Sequence, residues 1–170
     1  MLCLQRFLPY KLSRLVNDLS AGLQRSYSLR YGLNVSQWRM LAAAAQLEPT
    51  SVTELTDYSG MDKVTVSRSV RELVDRKLLD RTQSEKDRRR ANITLTNAGR
   101  EMYQSIAPSA MAYEADLLGV LNEGERADLL RTLDKLLDQA ALMRQSGSRI
   151  FPSRPAMKKP RKITSIKRRA

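Results

Sequence analysis

The chain has 170 residues, a length that suits one domain with appendages and is sufficient for a hydrophobic core. Its 30 lysines and arginines outnumber its 18 acidic residues and give a formal net charge of +12, which favours a polyanionic partner. Eight of the basic residues and no acidic residue lie within 153–170, which leaves a formal charge of +4 for the rest of the chain.

The composition also argues against an enzyme. The absence of histidine removes Ser-His and Cys-His nucleophile pairs, histidine general bases and histidine zinc ligands. The single cysteine, Cys3, cannot build an intramolecular disulfide or a thiolate zinc site, and the seven glycines form no dinucleotide-binding or Walker loop. We therefore expect no catalytic residues, no cofactor and no metal site.

Cellular location is indicated by the cysteine count and by hydropathy. One cysteine is consistent with a reducing compartment, and no apolar run is long enough to span a membrane. The early Pro9 and the recurring charges at the N-terminus do not match a signal peptide. We expect a cytoplasmic protein without a membrane partner.

The first two predicted helices are separated by a short break. The first, from Phe7 to Tyr31, tolerates Pro9 in its first turn and ends at Gly32 and Asn34. Its apolar stripe, which needs a partner, consists of Leu12, Leu15, Val16, Leu19 and Leu23. The second is predicted over Gln37 to Leu47, with Ser36 as its N-cap, a hydrophobic staple between Val35 and Met40, and a stop at Glu48-Pro49.

A helix-turn-helix follows. Ser51 and Glu54 form a capping box that predicts a third helix starting near Val52, and Ser59-Gly60 interrupts it. Asp62 is a suitable N-cap for a fourth helix. The apolar positions of that helix, at helical spacing, are Val66, Val70, Leu73 and Val74.

The opposite face of the fourth helix is polar and basic, with Lys63, Thr65, Ser67, Arg68 and Arg71. Arginine and lysine reach guanine edges or phosphates, and serine and threonine contact base edges or backbone. This division of faces suits a helix that packs on a domain and enters the DNA major groove. The alternative is an amphipathic helix with a solvated basic face.

A hairpin with a basic tip is predicted next. Two segments with strand character, Leu78 to Gln83 and Ala91 to Leu95, flank the tip at 84–90. The tip concentrates positive charge at Arg88, Arg89 and Arg90, and a narrow minor groove attracts inserted arginines. Coming directly after a helix-turn-helix, the tip is interpreted as a DNA-contacting wing.

Two further helices are predicted after the wing. Thr96 starts a helix that runs to about Ile106, and Pro108 begins or kinks its continuation to Leu121. Asn122 and Glu125 cap a final helix. Its apolar stripe consists of Leu129, Leu133, Leu136, Leu137 and Ala140.

The wing carries an Asp-x-Arg motif followed by Leu-Thr-x-x-Gly, here Asp87, Arg89, Leu95, Thr96 and Gly99. With the helix-turn-helix, over roughly residues 5–146, it resembles the MarR family of bacterial regulators. The resemblance implies that Arg89 enters the minor groove and that Asp87 helps to hold it. This chain departs from the family at Lys77, where glycine is usual at the end of the recognition helix.

The resemblance also implies an obligate dimer formed by the terminal helices. The apolar stripes of the terminal helices support such a dimer, because exposed apolar stripes usually mark interfaces. A twofold dimer places two recognition helices roughly 34 Å apart and reads a pseudo-palindrome. The alternative is a monomer whose terminal helices fold over its own core.

A small-molecule effector is a further implication of the resemblance: an aromatic acid or an aromatic acyl-CoA bound between the dimerisation helices and the winged domain. Candidate lining residues are Trp38, Tyr10, Tyr27 and Tyr31, with Arg25, Arg30 or Arg39 for an anion. Trp38 and Arg39 are the preferred pair. The alternative is that the rings are core or dimer packing.

The expected fold is therefore mainly α with a small β-hairpin wing: a winged helix-turn-helix flanked by N- and C-terminal dimerisation helices. The expected organisation is a dimerisation helix (1–34), the DNA-binding domain (35–99), dimerisation helices (100–146) and a disordered basic tail (147–170). That tail is either an arm that binds phosphates or a solubilising extension.

The expected function is that of a sequence-specific, ligand-responsive repressor that binds double-stranded DNA as a homodimer. A non-specific architectural DNA-binding protein and a protein-interaction scaffold are the rivals. Some MarR relatives sense organic peroxides through an N-terminal cysteine, so a peroxide-sensing repressor acting through Cys3 is a further alternative.

Overall fold

The computed structural model describes residues 2–83 and 91–146. The wing tip, with Asp87, Arg88, Arg89 and Arg90, lies outside the described residues, as does the tail at 147–170. The chain divides into two units, residues 1–120 and residues 121–170, which are described separately.

The first unit opens with a short 3-10 turn at Leu4–Arg6 and a long helix, α1 (Leu8–Tyr31). Pro9 lies in the first turn of α1, as expected, because the missing N–H has no helical partner there. Gly32 ends the helix with φ at 61°, the left-handed conformation that glycine adopts without steric cost.

The second helix, α2 (Val35–Leu47), begins earlier than predicted, and its N-cap is Asn34 and not Ser36. Asn34 Oδ1 accepts from the N–H of Gln37 at 2.9 Å, and Gln37 Oε1 accepts from the N–H of Asn34 at 2.9 Å. A box starting at Ser36 would need an acceptor at Arg39, which has none, so the Asn34 cap prevails.

Because the cap moves, the staple predicted between Val35 and Met40 is also wrong. The staple positions, one residue before the cap and the fourth of the helix, fall on Leu33 and Trp38, and both side chains are buried.

The helix-turn-helix has the predicted caps. The box of Ser51 and Glu54 opens α3 (Val52–Ser59), which ends at Gly60 with φ at 64°. Asp62 caps α4 (Lys63–Asp75). Strands β1 (Leu79–Gln83) and β2 (Ala91–Leu95) pair antiparallel, with Leu79 opposite Leu95.

Helix α5 (Asn97–Leu118) is one continuous helix, so Pro108 lies inside it and does not begin a separate helix. It also ends at Leu118, short of the expected Leu121. Proline removes the donor for the carbonyl of Gln104, but both residues are exposed, so water can satisfy that carbonyl.

The hydrophobic core of this unit is centred on α2. Its fully buried side chains come from the end of α1, from α2, α3, α4, both strands and α5, and include Tyr27, Met40, Leu41, Leu55, Val66, Leu73, Leu79, Ile93 and Ile106. Thr50 and Ile93 exchange two backbone hydrogen bonds, at 3.0 and 2.7 Å, which fix β2 beside the start of α3. The expected mainly α fold with a hairpin wing is confirmed.

The second unit contains α6 (Glu123–Gln145), opened by the predicted capping box of Asn122 and Glu125. Much of its apolar stripe is exposed, including Leu129, Leu136 and Leu137.

Candidate functional site

Helix α4 has the two faces that its sequence indicates. Val66, Val70 and Leu73 are buried in the core, together with Ser69. Of the residues predicted to contact DNA, Lys63, Arg68 and Arg71 are exposed, whereas Thr65 and Ser67 are half-buried at the edges of the face. The structure therefore brings the predicted set to one side of α4.

The start of α4 is held by Asp62. Its carboxylate accepts the N–H of Thr65 at 2.9 Å, and the hydrogen bonds from Thr65 lower the pKa of Asp62 below its ordinary value. The charged cap also interacts favourably with the positive end of the helix dipole. This end of α4 therefore has a defined geometry.

The wing base explains why the Leu-Thr-x-x-Gly motif has those residue types. Thr96 Oγ1 donates to the carbonyl of Lys77 at 2.7 Å and accepts from the N–H of Gly99 at 2.9 Å. A Cβ on Gly99 would lie 1.9 Å from the carbonyl oxygen of Leu78, so this position has no room for a side chain. The motif thus joins the start of α5 to the start of the wing.

The turn before the wing is the site of the departure at Lys77. Lys77 has φ at 57°, which is the left-handed conformation that glycine would adopt easily. The turn keeps the geometry that a glycine would provide, with a lysine in its place.

Glu48 fixes the far side of the wing base. It accepts from the N–H of Leu95 at 2.9 Å and from the guanidinium of Arg100. Desolvation raises the pKa of Glu48, but these hydrogen bonds and the charge of Arg100 outweigh it and bring the pKa below its ordinary value. The stability that this contributes is present above the unfolded pKa and is lost as the pH falls through the folded pKa.

The C-terminal end of α4 is tied to α1 and α2. Arg76 donates to the carbonyls of Tyr31 and Gly32, at 2.6 and 2.9 Å, which are orphan acceptors at the end of α1. Gln37 Nε2 donates to the carboxylate of Glu72 at 2.8 Å. Displacement of α1 would therefore act directly on α4.

A cavity of about 310 Å³ lies between α1, α2 and α5. Its lining is mostly apolar and aromatic, with a few polar groups, which is typical of small-molecule sites. The lining residues are Val16, Leu19, Ser20, Leu23, Tyr27, Val35, Trp38, Arg39, Ala110, Tyr113, Glu114 and Leu117.

The polar groups of this cavity include a cation and a neutral phenol. Arg39 donates to Ser20 Oγ at 3.1 Å, which holds the guanidinium against α1. Burial raises the pKa of Tyr27, although the charge of Arg39 lowers it, so the phenol remains a hydrogen-bond donor at neutral pH. Trp38 stacks on Tyr103 at 6.0 Å and tilts against Tyr27 at 5.7 Å, so its ring is fixed.

Of the predicted ligand residues, the structure brings together Trp38, Arg39 and Tyr27 in this lining. Tyr10 is exposed and does not line the cavity. Tyr31 is half-buried, packs on the core, and lies under the guanidinium of Arg30 at 5.3 Å. Arg25 is exposed and is not among the lining residues.

The sequence interpretation missed Tyr113 and Glu114, which α5 contributes. The available signal was Gly22: a Cβ there would lie 2.1 Å from Tyr113 Oη, so the glycine lets the ring approach α1. It also missed Val64 on α4, which is 75% exposed. The helical repeat places Val64 one turn before Arg68, and this spacing was the available signal.

A second cavity, of about 300 Å³, lies on the other side of Trp38 and Arg39. Tyr58 and Ser59, at the end of α3, line it together with Tyr103.

Cys3 is exposed and precedes α1.

Within residues 2–83 and 91–146, no group of three or more acidic, cysteine or histidine side chains could hold a metal ion. None of the helices described is long and apolar enough to cross a membrane.

Comparison with known proteins gives consistent results. A model described as MarR family matches residues 31–90. The transcriptional repressor NicR of Pseudomonas putida is 30% identical over 102 residues, which are 60% of this chain and 65% of NicR. The chain therefore matches less than two thirds of the length of this relative.

Two solved structures share the fold. A MarR/EmrR family regulator from Acinetobacter sp. ADP1 has a TM-score of 0.78 and 27% identity, covering 84% of this chain and 100% of that chain. BpsR of Bordetella bronchiseptica, whose DNA binding is regulated by 6-hydroxynicotinic acid, has a TM-score of 0.68 and 26% identity, covering 76% and 97%. With its winged helix-turn-helix and Leu-Thr-x-x-Gly wing base, this chain has the fold of MarR-family proteins, and its residues 31–90 match the MarR family.

Proposed function

We propose that this protein is a ligand-responsive repressor that binds a pseudo-palindromic DNA operator as a homodimer. The observation that carries the proposal is α4, which buries Val66, Val70 and Leu73 in the core and exposes Lys63, Arg68 and Arg71. Such a helix can enter a major groove without giving up its packing.

The contacts differ in what they contribute. Arg68 and Arg71 supply the charge that neutralises phosphates or pairs with guanine, and Thr65 and Ser67 reach the groove edges. Arg89, helped by Arg88 and Arg90, enters the flanking minor groove, and the resemblance implies that Asp87 helps to hold Arg89. Binding over a promoter blocks polymerase, so repression is the expected outcome.

The dimer is inferred from apolar surface that each unit exposes. The first half of α1 exposes Leu8, Leu12, Leu15 and Val16, and α6 exposes its leucine stripe. Burying such surface between copies stabilises a dimer by roughly 25 cal/mol per Å² before the costs of association.

The effector is an aromatic acid that occupies the cavity between α1, α2 and α5. Trp38 provides a ring face, Arg39 a cation for the carboxylate and Tyr27 a neutral hydroxyl. The volume of about 310 Å³ suits a single-ring acid. An aromatic acyl-CoA, the alternative, would place only its acyl group there.

The route from effector to DNA runs through Arg76. A ligand acts by preferring one of two dimer geometries, so it must bind them with different affinity. A shift of α1 reaches α4 through the two hydrogen bonds from Arg76 to Tyr31 and Gly32. In the dimer geometry that the ligand prefers, the two α4 helices no longer fit two adjacent major grooves.

Operator binding is tested with the DNA upstream of the protein's own gene and a shuffled duplex, across a salt series around 150 mM. A preference for the native sequence that survives salt is expected, and Arg68→Ala should reduce it by about tenfold or more. Arg131→Ala, a control that removes the same charge from α6, should retain it. Equal, steeply salt-dependent binding to both duplexes would favour the architectural protein.

The effector is tested with 6-hydroxynicotinic acid, because it regulates BpsR. The acid should release the operator, and Arg39→Gln should abolish release without changing operator affinity in its absence. The matching amide, 6-hydroxynicotinamide, is the control for the carboxylate. Release that Arg39→Gln leaves intact would contradict this site.

The peroxide-sensing alternative and the tail have separate tests. If Cys3 is the sensor, peroxide releases the operator from the native protein and not from Cys3→Ser.

If the tail binds phosphates, removal of 149–170 flattens the salt dependence of DNA binding.

A further inference from the structure

Val64 is an apolar side chain on the surface where the charged residues of α4 lie. It is 75% exposed, whereas Val66, two residues later, is fully buried. Both are at the N-terminal end of α4, which Asp62 holds in place.

Helix geometry puts Val64 on the outward side of α4. Successive residues turn by about 100°, so the buried positions Val66, Val70 and Leu73 define one direction and Val64 points almost directly opposite. Arg68 and Arg71, four and seven residues later, continue the same outward line. Val64 is therefore the first of the outward residues of α4 that would contact a binding partner.

Stability of the free protein does not account for this valine. A β-branched residue is a poorer helix former than alanine, and an exposed one buries little apolar area. Its advantage arises when a partner covers it, because the restricted χ1 angle then presents two methyl groups in a fixed position.

We propose that Val64 reads the 5-methyl group of a thymine in the major groove. Among the four bases, thymine alone presents an apolar group on that edge, and an apolar side chain distinguishes it from cytosine and adenine. This inference rests on the proposed function and adds the base that this part of the helix selects. Val64 would therefore contribute to the choice of DNA sequence and not to the electrostatic attraction between protein and DNA.

The test begins with operators selected by the full-length protein from random duplex DNA. Each thymine of a selected site is replaced in turn by deoxyuridine, which removes the methyl group and leaves the pairing intact. One thymine in each half-site should lower the affinity by about fourfold when replaced, the equivalent of one buried methyl group.

Val64→Ala should abolish this sensitivity at the same thymine, while its thermal midpoint stays at or above that of the native protein. Val120→Ala, the same truncation at an exposed valine outside α4 and outside the DNA-contact set, should keep the fourfold effect. The proposal is wrong if no thymine is sensitive, or if the sensitive thymine remains so in Val64→Ala. Failure to select any preferred sequence would instead refute the proposed function itself.

Discussion

The winged helix-turn-helix and the first half of α1 treat their apolar residues in opposite ways. Between Leu33 and Ile106 the apolar residues of α2, α4 and the strands are mostly buried, and the polar contacts are made within the unit. In α1, Leu12, Leu15 and Val16 are exposed although they have helical spacing. The first region completes its own core, whereas the second leaves an apolar face exposed, as is usual at an interface.

The largest expected effect is on that exposed surface. Leu136→Glu in α6 places a charge in the apolar stripe of both copies of a dimer. Losing about 2 kcal/mol of burial in each copy should raise the dissociation constant of the dimer by about a thousandfold. Analytical ultracentrifugation measures this change.

Ala127→Glu is the control, because it adds the same charge to the other side of α6, where residue 127 is also exposed. Equal dissociation by both variants would mean that charge, and not the leucine stripe, controls assembly. A dimer that tolerates Leu136→Glu would contradict the interface.

Gly99→Ala tests the self-contained region. The added Cβ would lie 1.9 Å from the carbonyl oxygen of Leu78 and 2.9 Å from its carbon, both backbone atoms that cannot move independently. We expect a loss of about 3 kcal/mol in the free energy of unfolding, at the upper end of overpacking effects. Urea denaturation of Gly99→Ala and of the native protein measures this loss.

Gly124→Ala is the matched control for Gly99→Ala, since the nearest atom to its Cβ would be Asn122 Oδ1 at 3.4 Å. It should be neutral or stabilising by up to about 1 kcal/mol, because alanine is the better helix former. Similar losses in both variants would contradict the role of the wing base.

Local sequence signals predicted the first region well because its elements begin and end at residues with specific chemistry. Ser51, Asp62 and Thr96 each accept the backbone N–H that their capping pattern requires. The error at Ser36 arose from overlapping signals, because Asn34 had a better partner in Gln37. The sequence left open whether Pro108 begins a new helix, because the cost of a proline depends on exposure, which a local pattern does not contain.

The cavity was less predictable because it is formed by contacts between distant segments. Trp38, Arg39 and Tyr27 were suggested by residue type and position, and they do meet. Tyr113 is 86 residues from Tyr27 along the chain, and nothing in its local sequence indicates that it faces α1. The outward direction of Val64, by contrast, followed from its helical spacing to Val66, Val70 and Leu73 and was available in the sequence.

Gly22→Ala tests the cavity wall. Its Cβ would lie 2.1 Å from Tyr113 Oη, and the ring must rotate or α5 must move away from α1. We expect a stability loss of about 1–2 kcal/mol and a reduced affinity for 6-hydroxynicotinic acid. The combined variant Gly22→Ala with Tyr113→Phe removes the clashing hydroxyl and should recover part of the stability. No recovery in thermal unfolding would contradict the contact.

Arg76→Ala tests whether a displacement of α1 is transmitted to α4. Removing its two hydrogen bonds should cost about 1 kcal/mol of stability, because the side chain is exposed. The larger consequence is for coupling: the acid should still bind but release the operator less effectively. Arg76→Lys keeps the charge without the two-pronged geometry and should behave similarly. Release that is normal in both variants would show that the route lies elsewhere.

Lys77→Gly should have the smallest effect and the opposite sign. Lys77 has φ at 57°, a conformation that costs a residue with a side chain about 1 kcal/mol or more. Glycine removes that cost but makes the unfolded chain more flexible, so a net gain of about 0.5 kcal/mol is expected. The carbonyl of residue 77 still accepts from Thr96 in either case. Lys77→Ala keeps the strained backbone, so a gain in thermal stability equal to that of Lys77→Gly would trace the effect to the lysine side chain instead.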